Sequence, residues 1–428
     1  MSPLMNTPIA RATRPWLWLP TLYFGQGIPY VVAMTLSVVM YKNLQISNTA
    51  IALYTSWLYL PWVIKPLWSP VVDLYRTKRW WIVGLQFLLG LALALVAFTV
   101  PAGNGFQLTL AVFWLMAFSS ATHDIAADGF YLLALPAHQQ AALVGVRSTF
   151  YRLAMIAGQG GLVYLAGSLQ EFTGDVRVAW TAIFILLAVF FVGLALYHWL
   201  VLPRPTGDGP VGAGQPFAAG YRAVFGAFFR RPGIKVILSF LLLYRFAEAQ
   251  LLKLVTPFLL DGRAIGGLGL TTQQVGIVYG TVGVIALTLG GIMGGLIISR
   301  YGLKRLLWPM IFAMYLPNII FVFLAVTQPA NLLVIGAALA VEQFGYGFGF
   351  TAYMMYMIMV AAGAHQTAHY AICTGFMALG MMVPGMAAGW IQDHLGYLNF
   401  FLWVLVASVP SFFVTALIKV DPQFGRKV

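Results

Sequence analysis

Acidic side chains lie inside long apolar stretches of this sequence. The chain has only 11 Asp and Glu residues in 428 positions, and four of them, Asp124, Asp128, Glu248 and Glu342, have mainly apolar neighbours. A carboxylate at bilayer depth costs at least about 2.5 kcal/mol, so it is rarely tolerated without a partner or a water-filled path. Because a carboxylate can change charge by binding a proton, these four acids are candidates for carrying a coupling proton.

Two arginines follow the first pair of acids in the next apolar stretch. Asp124 and Asp128 are four residues apart, which places them one turn apart on one helix face. If the following helix runs back antiparallel, Arg152 and Arg147 lie at matching depths. We therefore predict two ion pairs, Asp124 with Arg152 and Asp128 with Arg147, which would staple or gate the bundle. The alternative is that both arginines extend toward lipid headgroups.

A second group of charges lies in the C-terminal half. Arg245 and Glu248 are three residues apart, Lys253 follows, and Glu342 has no basic residue within a helical turn. Arg245 and Glu248 could simply neutralise each other. The other interpretation is that Arg245 or Lys253 binds an anionic group of a solute, for which an Arg fork is well suited, while Glu248 or Glu342 accepts a proton.

Further polar residues lie in the N-terminal apolar stretches. Lys65 sits between two prolines, and a lone membrane lysine favours a cavity-lining or Asp-paired position over a lipid-facing one. Tyr23, Gln26 and Tyr30 recur at helical spacing, so they form a stripe that could bind and stack on sugar rings. Tyrosines are also common near membrane interfaces for reasons unrelated to binding. His123, next to an aspartate, is a possible proton relay.

Other kinds of chemistry find little support. His365 and His369 are four residues apart, as metal ligands on a helix can be, but no third ligand is near, so no metal or cofactor is expected. The sequence has no Gly-x-x-x-x-Gly-Lys-Ser/Thr run and no catalytic triad pattern, which argues against an ATP-driven pump and a membrane hydrolase.

The composition is that of an integral membrane protein. Hydrophobic residues make up 61% of the chain and charged residues 8%. One helical crossing needs about 20 apolar residues. Twelve stretches meet this need, which leaves no soluble domain, and the first is expected to be retained as a span: roughly 16–40, 48–72, 80–100, 107–133, 143–168, 178–202, 233–260, 272–298, 305–327, 331–360, 366–391 and 398–419.

Basic residues in the loops predict the orientation. If the N-terminus is cytoplasmic, 16 of the 24 Lys and Arg residues fall on the cytoplasmic side and only Lys42, Arg177 and Arg263 on the other. This bias places both termini in the cytoplasm. It also accounts for the net charge of +13, so no nucleic-acid partner is needed. The protein is expected to be monomeric.

The chain divides at 203–232, where the run PRPTGDGPVGAGQP interrupts any helix. We predict six-helix bundles at 1–202 and 233–428, joined by a cytoplasmic linker. This all-α architecture of twelve helices resembles the major facilitator fold, with solute bound between the halves. The loop SPVVDLYRTKRW, with Asp73 and Arg76, resembles that family's signature and implies an ion-pair or gating role. In the second copy, GGLIISRYGLKRLLW, Ser299 takes the place of the Asp.

A narrower resemblance rests on three stretches of the N-terminal half. YLPWVIKPLWSPVVD at 59–73, SSATHDIAADGFYLLAL at 119–135 and FYRLAM at 150–155 are similar to the AmpG-type muropeptide permeases, in the family that also holds acetyl-coenzyme A transporters. The resemblance implies proton-driven import of anhydro-muropeptides from the periplasm.

Taken with the acids, the sequence predicts a secondary transporter of the bacterial inner membrane that moves an anionic sugar or peptide solute by alternating access. The alternatives are a transporter of another bulky solute, such as a siderophore, a drug or an acyl-coenzyme A, and a membrane receptor or enzyme without transport. A transporter needs titratable groups at the midplane but no nucleophile with its base, and the sequence shows the first without the second.

Overall fold

The computed structural model describes residues 14–135, 137–205, 208–209, 225–362 and 366–425. This part of the chain is almost entirely helical, and no strand occurs in it. The helices form twelve rods, which confirms the predicted fold class. Their bounds are α1 Pro15–Asn43, α2 Asn48–Trp57 with Leu60–Leu74, α3 Lys78–Thr99, α4 Gly105–Ala134, α5 Ala137–Ile156 with Ala157–Leu162 and Val163–Thr173, α6 Val176–Val201, α7 Ile234–Leu243 with Phe246–Leu260, α8 Thr272–Tyr301, α9 Leu303–Thr327 and α10 Leu332–Ala361.

The last two rods are separated by one glycine. Helical structure runs over Gln366–Ala407 and resumes at Val409–Leu417, but Gly396 within the first segment has φ 73° and ψ 169°. A straight helix of 42 residues would extend about 60 Å, twice the roughly 30 Å of a hydrocarbon core. The positive φ, which glycine adopts without a steric penalty, therefore ends α11 (366–395) and begins α12 (397–417).

Length and apolarity alone single out fewer spans. Among the described residues, eight helices are long and apolar enough to cross a membrane, and the last of these covers both α11 and α12. The rods α2, α5 and α7 are not among them, and α2 and α7 fail as continuous helices because each contains a break near its middle. The breaks lie at Leu58–Tyr59 in α2 and at Tyr244–Arg245 in α7.

The break in α7 is stabilised by three hydroxyl groups from other helices. Arg245 has φ −110° and ψ 19°, so the α-helical ladder is interrupted there. Backbone carbonyls that lose a helical partner inside a membrane need another donor. Side chains of α9, α10 and α12 supply it: Tyr353 donates to Leu241 O at 2.6 Å, Ser411 to Leu243 O at 2.9 Å and Tyr315 to Tyr244 O.

The buried apolar residues form separate clusters in the two halves of the sequence. One cluster consists of residues from Phe228 onward, with Ala52 as the exception. The other two clusters consist of buried residues from Trp18 to Leu202. The predicted division at 203–232 stays a prediction, since much of that segment lies outside the described residues.

The helices α5 and α8 meet backbone to backbone across the two halves. Each contains a π-helical segment at the contact, Ala157–Leu162 in α5 and Gly276–Gly283 in α8. A Cβ atom built on Gly280 would lie 1.9 Å from the Gln159 carbonyl oxygen. The absence of a side chain at Gly280 therefore sets how closely the halves approach.

We expect Gly280→Ala to push α5 and α8 apart and to destabilise this conformation by about 1–3 kcal/mol, because the added methyl overlaps backbone atoms. The measurement is thermal unfolding of the purified protein in detergent. Gly295→Ala on the same helix is the control, since nothing lies within 4 Å of its Cβ position. Equal melting temperatures for the two variants would contradict this contact.

Candidate functional site

Two buried cations of α7 lie between the halves of the protein. The Arg245 guanidinium donates a hydrogen bond to the Tyr346 hydroxyl and lies 4.7 Å from the centre of the Phe350 ring. Lys253 Nζ donates to Thr55 Oγ1 at 2.9 Å and lies 5.3 Å from the Tyr59 ring, both on the α2 side. The break in α7 positions Arg245, and the break in α2 positions Tyr59.

Two glutamates accompany these cations, and both are buried. Glu248 is 0% exposed, and neither of its carboxylate oxygens has a hydrogen-bond partner within the described structure. Glu342 accepts a hydrogen bond from the Gln343 amide at 2.9 Å, and its second oxygen is also unpartnered there. No contact ion pair joins Arg245 to Glu248, so the predicted mutual neutralisation is not achieved by direct contact. Such carboxylates can bind a proton or a donor of the solute.

Asp124 pairs with α2 and not with α5. Trp62 Nε1 donates to Asp124 Oδ2 at 3.1 Å, and Lys65 Nζ lies 4.0 Å from the same oxygen. The predicted Asp124–Arg152 pair is therefore wrong: Arg152 donates to Thr288 Oγ1 on α8 at 3.3 Å. Matching depth does not determine which side of a helix a residue faces, and Asp124 faces α2. Lys65 is Asp-paired, as one of its two sequence interpretations predicted.

The predicted Asp128–Arg147 pair is confirmed. Arg147 Nη2 lies 2.7 Å from Asp128 Oδ1, and the two side chains are 32% and 41% exposed. The Tyr23 hydroxyl donates to the same oxygen at 3.4 Å, and its ring lies 4.6 Å from the Arg147 guanidinium carbon. This pair joins α4 to α5 at the side of the bundle where α1 begins.

The polar stripe of α1 divides between two environments. Tyr23 belongs to the Asp128 cluster, whereas Tyr30 packs edge-to-face on Trp62 at 5.5 Å between ring centres. Gln26 is buried between them, and its carbonyl oxygen has no partner in the described part of the chain. The stripe therefore faces other helices of the protein, on the side of α1 where Asp124 and Asp128 of α4 lie.

His123 takes part in a buried network that the sequence did not reveal. Gln86 of α3 contacts His123 at 3.1 Å and His198 of α6 at 2.9 Å, and His198 in turn contacts Thr21 of α1 at 3.0 Å. His123 thus faces α3 and α6, away from the partners of Asp124. The only signal in the sequence was a Gln and a second His inside apolar stretches.

The remaining predicted positions lie near the loops. The side chain of Asp73 and all of His365 are outside the described structure. Arg76 has a positive φ of 63°, and its guanidinium carbon lies 5.9 Å from the Trp80 ring. His369 accepts a hydrogen bond from Arg231 Nη2 at 2.7 Å. Within the described residues, no group of three potential metal ligands occurs.

A polar clamp closes the site at one end. We call the face opposite to the start of α1 the distal face. There, Lys42 Nζ at the end of α1 lies 2.7 Å from Asp261 Oδ1 at the end of α7. The Tyr397 hydroxyl donates to Asp261 Oδ2 at 2.5 Å, and Asn48 Nδ2 donates to Tyr397 at 3.0 Å and to Gln392 at 2.6 Å. These residues, which we call the distal clamp, join the two halves.

Cavities flank the distal clamp on both sides. Their volumes are about 450 and 390 Å³, and Lys42 and Asp261 line both. The clamp could not be predicted from the sequence because its residues come from helix ends far apart in the chain. The signal in the sequence was that a Lys and an Asp each end an apolar stretch, and that both ends are predicted to lie on the same side of the membrane.

This arrangement of two helical halves with charges between them is that of a solute transporter. A family model of the Major Facilitator Superfamily matches residues 21–371, so the chain belongs to that superfamily. The anhydromuropeptide permease of Escherichia coli (strain K12) is 27% identical over 370 residues, covering 85% of this chain and 72% of the relative. The putative transporter AmpG 4 of Rickettsia conorii is 24% identical, covering 91% of this chain and 92% of the relative. These relatives confirm the resemblance to AmpG-type permeases.

Solved structures show the same fold. A mutant of the nucleoside transporter NupG superposes with a TM-score of 0.72 at 17% identity, covering 94% of this chain and 99% of that one. A bacterial homologue of the human lysosomal transporter Spinster, in an inward-facing and unoccupied conformation, gives 0.68 at 14% identity, with coverage of 95% and 98%. The superfamily match and the permease relatives make the chain a membrane-spanning transporter of small solutes and not an enzyme.

We expect Lys42→Ala to weaken the distal clamp by about 1–3 kcal/mol, because Asp261 loses a charged hydrogen-bond partner. The distal ends of the halves should then separate in a larger share of molecules. The measurement is the distance distribution between spin labels at Glu171→Cys and Ile265→Cys, which lie on opposite halves. Arg177→Ala is the control on the distal face, since Arg177 contacts its own half at Pro101. An unchanged distribution in Lys42→Ala would show that the clamp does not hold the halves together.

A double-mutant cycle tests the Asp128–Arg147 pair. Since both side chains are partly exposed, we expect a coupling energy of about 1 kcal/mol or less, below the several kcal/mol of a fully buried pair. Thermal stability of Asp128→Ala, Arg147→Ala and the double variant gives this value. The same cycle on Asp124 and Arg152 is the control and should be additive, since these residues bond elsewhere. Coupling confined to Asp124 and Arg152 would reverse the assignment.

Proposed function

We propose that this protein imports an anionic sugar–peptide solute of the anhydromuropeptide type together with protons. The proposal starts from the relatives: the Escherichia coli protein carries the name anhydromuropeptide permease, and it aligns with 85% of this chain. The fold alone would not select a solute, since neighbours of the same fold include nucleoside and D-xylose transporters.

The pair of cations between the halves is the observation that carries the proposal. Arg245 and Lys253 are 7% and 5% exposed, and both lie on α7 within reach of aromatic rings from the other half or from α10. Buried cations at a domain interface favour an anionic solute, for which Arg offers paired donors to a carboxylate. Tyr30, Tyr59 and Tyr346 add hydroxyls and rings that suit a sugar.

In this proposal the distal face is periplasmic. The excess of basic residues on the opposite side supports cytoplasmic termini in a bacterial inner membrane. With the distal clamp formed, the described conformation is then closed toward the periplasm, in keeping with the inward-facing structure that it resembles. Import requires the clamp to open before solute enters, and the six-helix bundles at 1–202 and 233–428 are the moving bodies.

Protons are the proposed source of energy. Glu248 and Glu342 are buried, and each has at least one oxygen without a partner in the described structure. Glu248 is also within electrostatic range of Arg245. A carboxyl group that gains a proton crosses the low-dielectric interior more cheaply than a carboxylate. Asp124 and Asp128 are further candidates on the other half. The protein works as a monomer in this proposal.

Uptake into proteoliposomes tests the proposal. With labelled anhydromuropeptide outside, an inward proton gradient should drive accumulation, and a protonophore should abolish it. We expect one of the two variants Glu248→Gln and Glu342→Gln, the one that replaces the proton carrier, to retain exchange of solute while losing accumulation, because a neutral amide cannot bind and release a proton. Glu171→Gln is the matched control, since Glu171 is exposed at the distal end of α5.

Two outcomes would reject parts of the proposal. Accumulation by the unaltered protein without any gradient would exclude proton coupling. Uptake of a siderophore, a drug or an acyl-coenzyme A in preference to anhydromuropeptide would keep the transporter and replace its solute.

A further inference from the structure

Arg245 retains unused hydrogen-bonding capacity in the described structure. A guanidinium has five donors in a planar fork. One nitrogen donates to the Tyr346 hydroxyl, the face lies on Phe350, and Nε is buried without a partner among the described residues. The residue also sits in the break of α7, where neighbouring side chains are not forced into the spacing of a regular helix. It is therefore able to bind a carboxylate of the solute.

The buried charges lie in a definite order. Glu248 is within electrostatic range of Arg245, and Glu342 is within range of Glu248. Neither glutamate forms a contact ion pair with a described basic group, and both are almost completely buried. Among the described residues, Glu248 is thus the carboxylate that acts on Arg245, and Glu342 acts on Glu248.

The other titratable groups around these three are neutral phenols or are engaged elsewhere. Tyr279 of α8 and Tyr315 of α9 face the glutamates, and Tyr346 of α10 lies between them and Arg245. On the other half, Tyr30 and Tyr59 face Arg245, and Asp124 beyond Tyr30 is held by Trp62. Lys253 donates to Thr55. A hydroxyl does not neutralise an ammonium group, but Lys253 is not among the charges that act on Glu248 or Glu342. The charge balance around Arg245 therefore depends on Glu248 and Glu342.

We propose that the anionic group of the solute replaces Glu248 as the counter-charge of Arg245, and that Glu248 takes up one proton when it is replaced. This inference rests on the proposed function and specifies how solute and proton are coupled. In the empty site, Arg245 is balanced by ionised Glu248, and Glu342 is neutral. In the loaded site, Arg245 is balanced by the solute carboxylate, and both glutamates are neutral.

The charge balance explains why neither ligand would bind alone. A solute carboxylate that enters without a proton leaves a net negative charge in a low-dielectric site, and a proton that enters without solute leaves Arg245 unbalanced. Both states are disfavoured in a low-dielectric site, so one proton accompanies each carboxylate. Release toward the cytoplasm follows when Glu248 loses its proton and again becomes the counter-charge of Arg245.

Binding of anhydromuropeptide at a series of pH values tests this coupling. Linkage of one proton to one solute requires the affinity of the unaltered protein to fall about tenfold per pH unit once Glu248 is ionised in the empty site. We expect Glu248→Gln to remove this dependence and to keep binding at high pH, since the amide imitates the protonated acid. Glu342→Gln should keep the slope.

The outcomes separate this inference from the proposed function. A flat profile in Glu342→Gln with a normal slope in Glu248→Gln would overturn the inference and assign the proton to Glu342. Proton-driven accumulation in which both variants keep the slope would also overturn it, while the proposed function would stand. No binding of anhydromuropeptide and no gradient dependence would reject the proposed function.

A measurement without solute tests the arrangement of these charges even if anhydromuropeptide does not bind. Arg245→Gln should lower the melting temperature by about 5 °C, because Glu248 is left buried without its counter-charge. Adding Glu248→Gln should recover most of this loss, and adding Glu342→Gln should not. Recovery by Glu342→Gln instead would show that Glu342 balances Arg245, which would overturn the inference.

Discussion

A cation buried between two halves of a membrane bundle is the constraint on which the other features of the site depend. Arg245 can lie in this low-dielectric region only with a hydrogen-bond acceptor, an aromatic ring against its face and a counter-charge. Helix α10 supplies the acceptor and the ring, and Glu248 of α7 supplies the counter-charge. The break in α7 that positions Arg245 exposes backbone carbonyls. Hydroxyls from α9, α10 and α12 satisfy those carbonyls, so the fold of the C-terminal half is built around one position on one helix.

The contacts between the halves are of two kinds with different consequences. At the distal face, Lys42, Asp261 and their neighbours form hydrogen bonds that water can replace, so the clamp can open at modest cost. At Gly280, the backbones of α5 and α8 touch directly. The two helices are therefore close together, but few specific bonds have to break when they separate. Both features suit surfaces that separate and rejoin during transport.

The N-terminal half uses its charges differently. Asp128 and Arg147 form a partly exposed pair that joins α4 to α5, whereas Asp124 is held by Trp62 and Lys65 of α2. Asp124 and Asp128 each have a partner in contact, while Glu248 has none in the described structure. This contrast is why the C-terminal acids are the better candidates for binding a proton, and it is a tertiary property that a count of acids does not show.

The sequence by itself determined the twelve helices, because bilayer thickness requires about 20 apolar residues for each crossing and few other folds place so many such stretches in one chain. It also singled out the charged residues inside the bundle, since a charge inside an apolar stretch is costly wherever it occurs. The pair Asp128–Arg147 could be predicted because consecutive antiparallel helices fix relative depth. Only the tertiary structure decided the partner of Asp124, because depth does not specify which neighbour a helix face meets. The break at Arg245 has no Pro or Gly to signal it and depends on hydroxyls from distant helices. The distal clamp joins helix ends that are brought together only when the two halves pack.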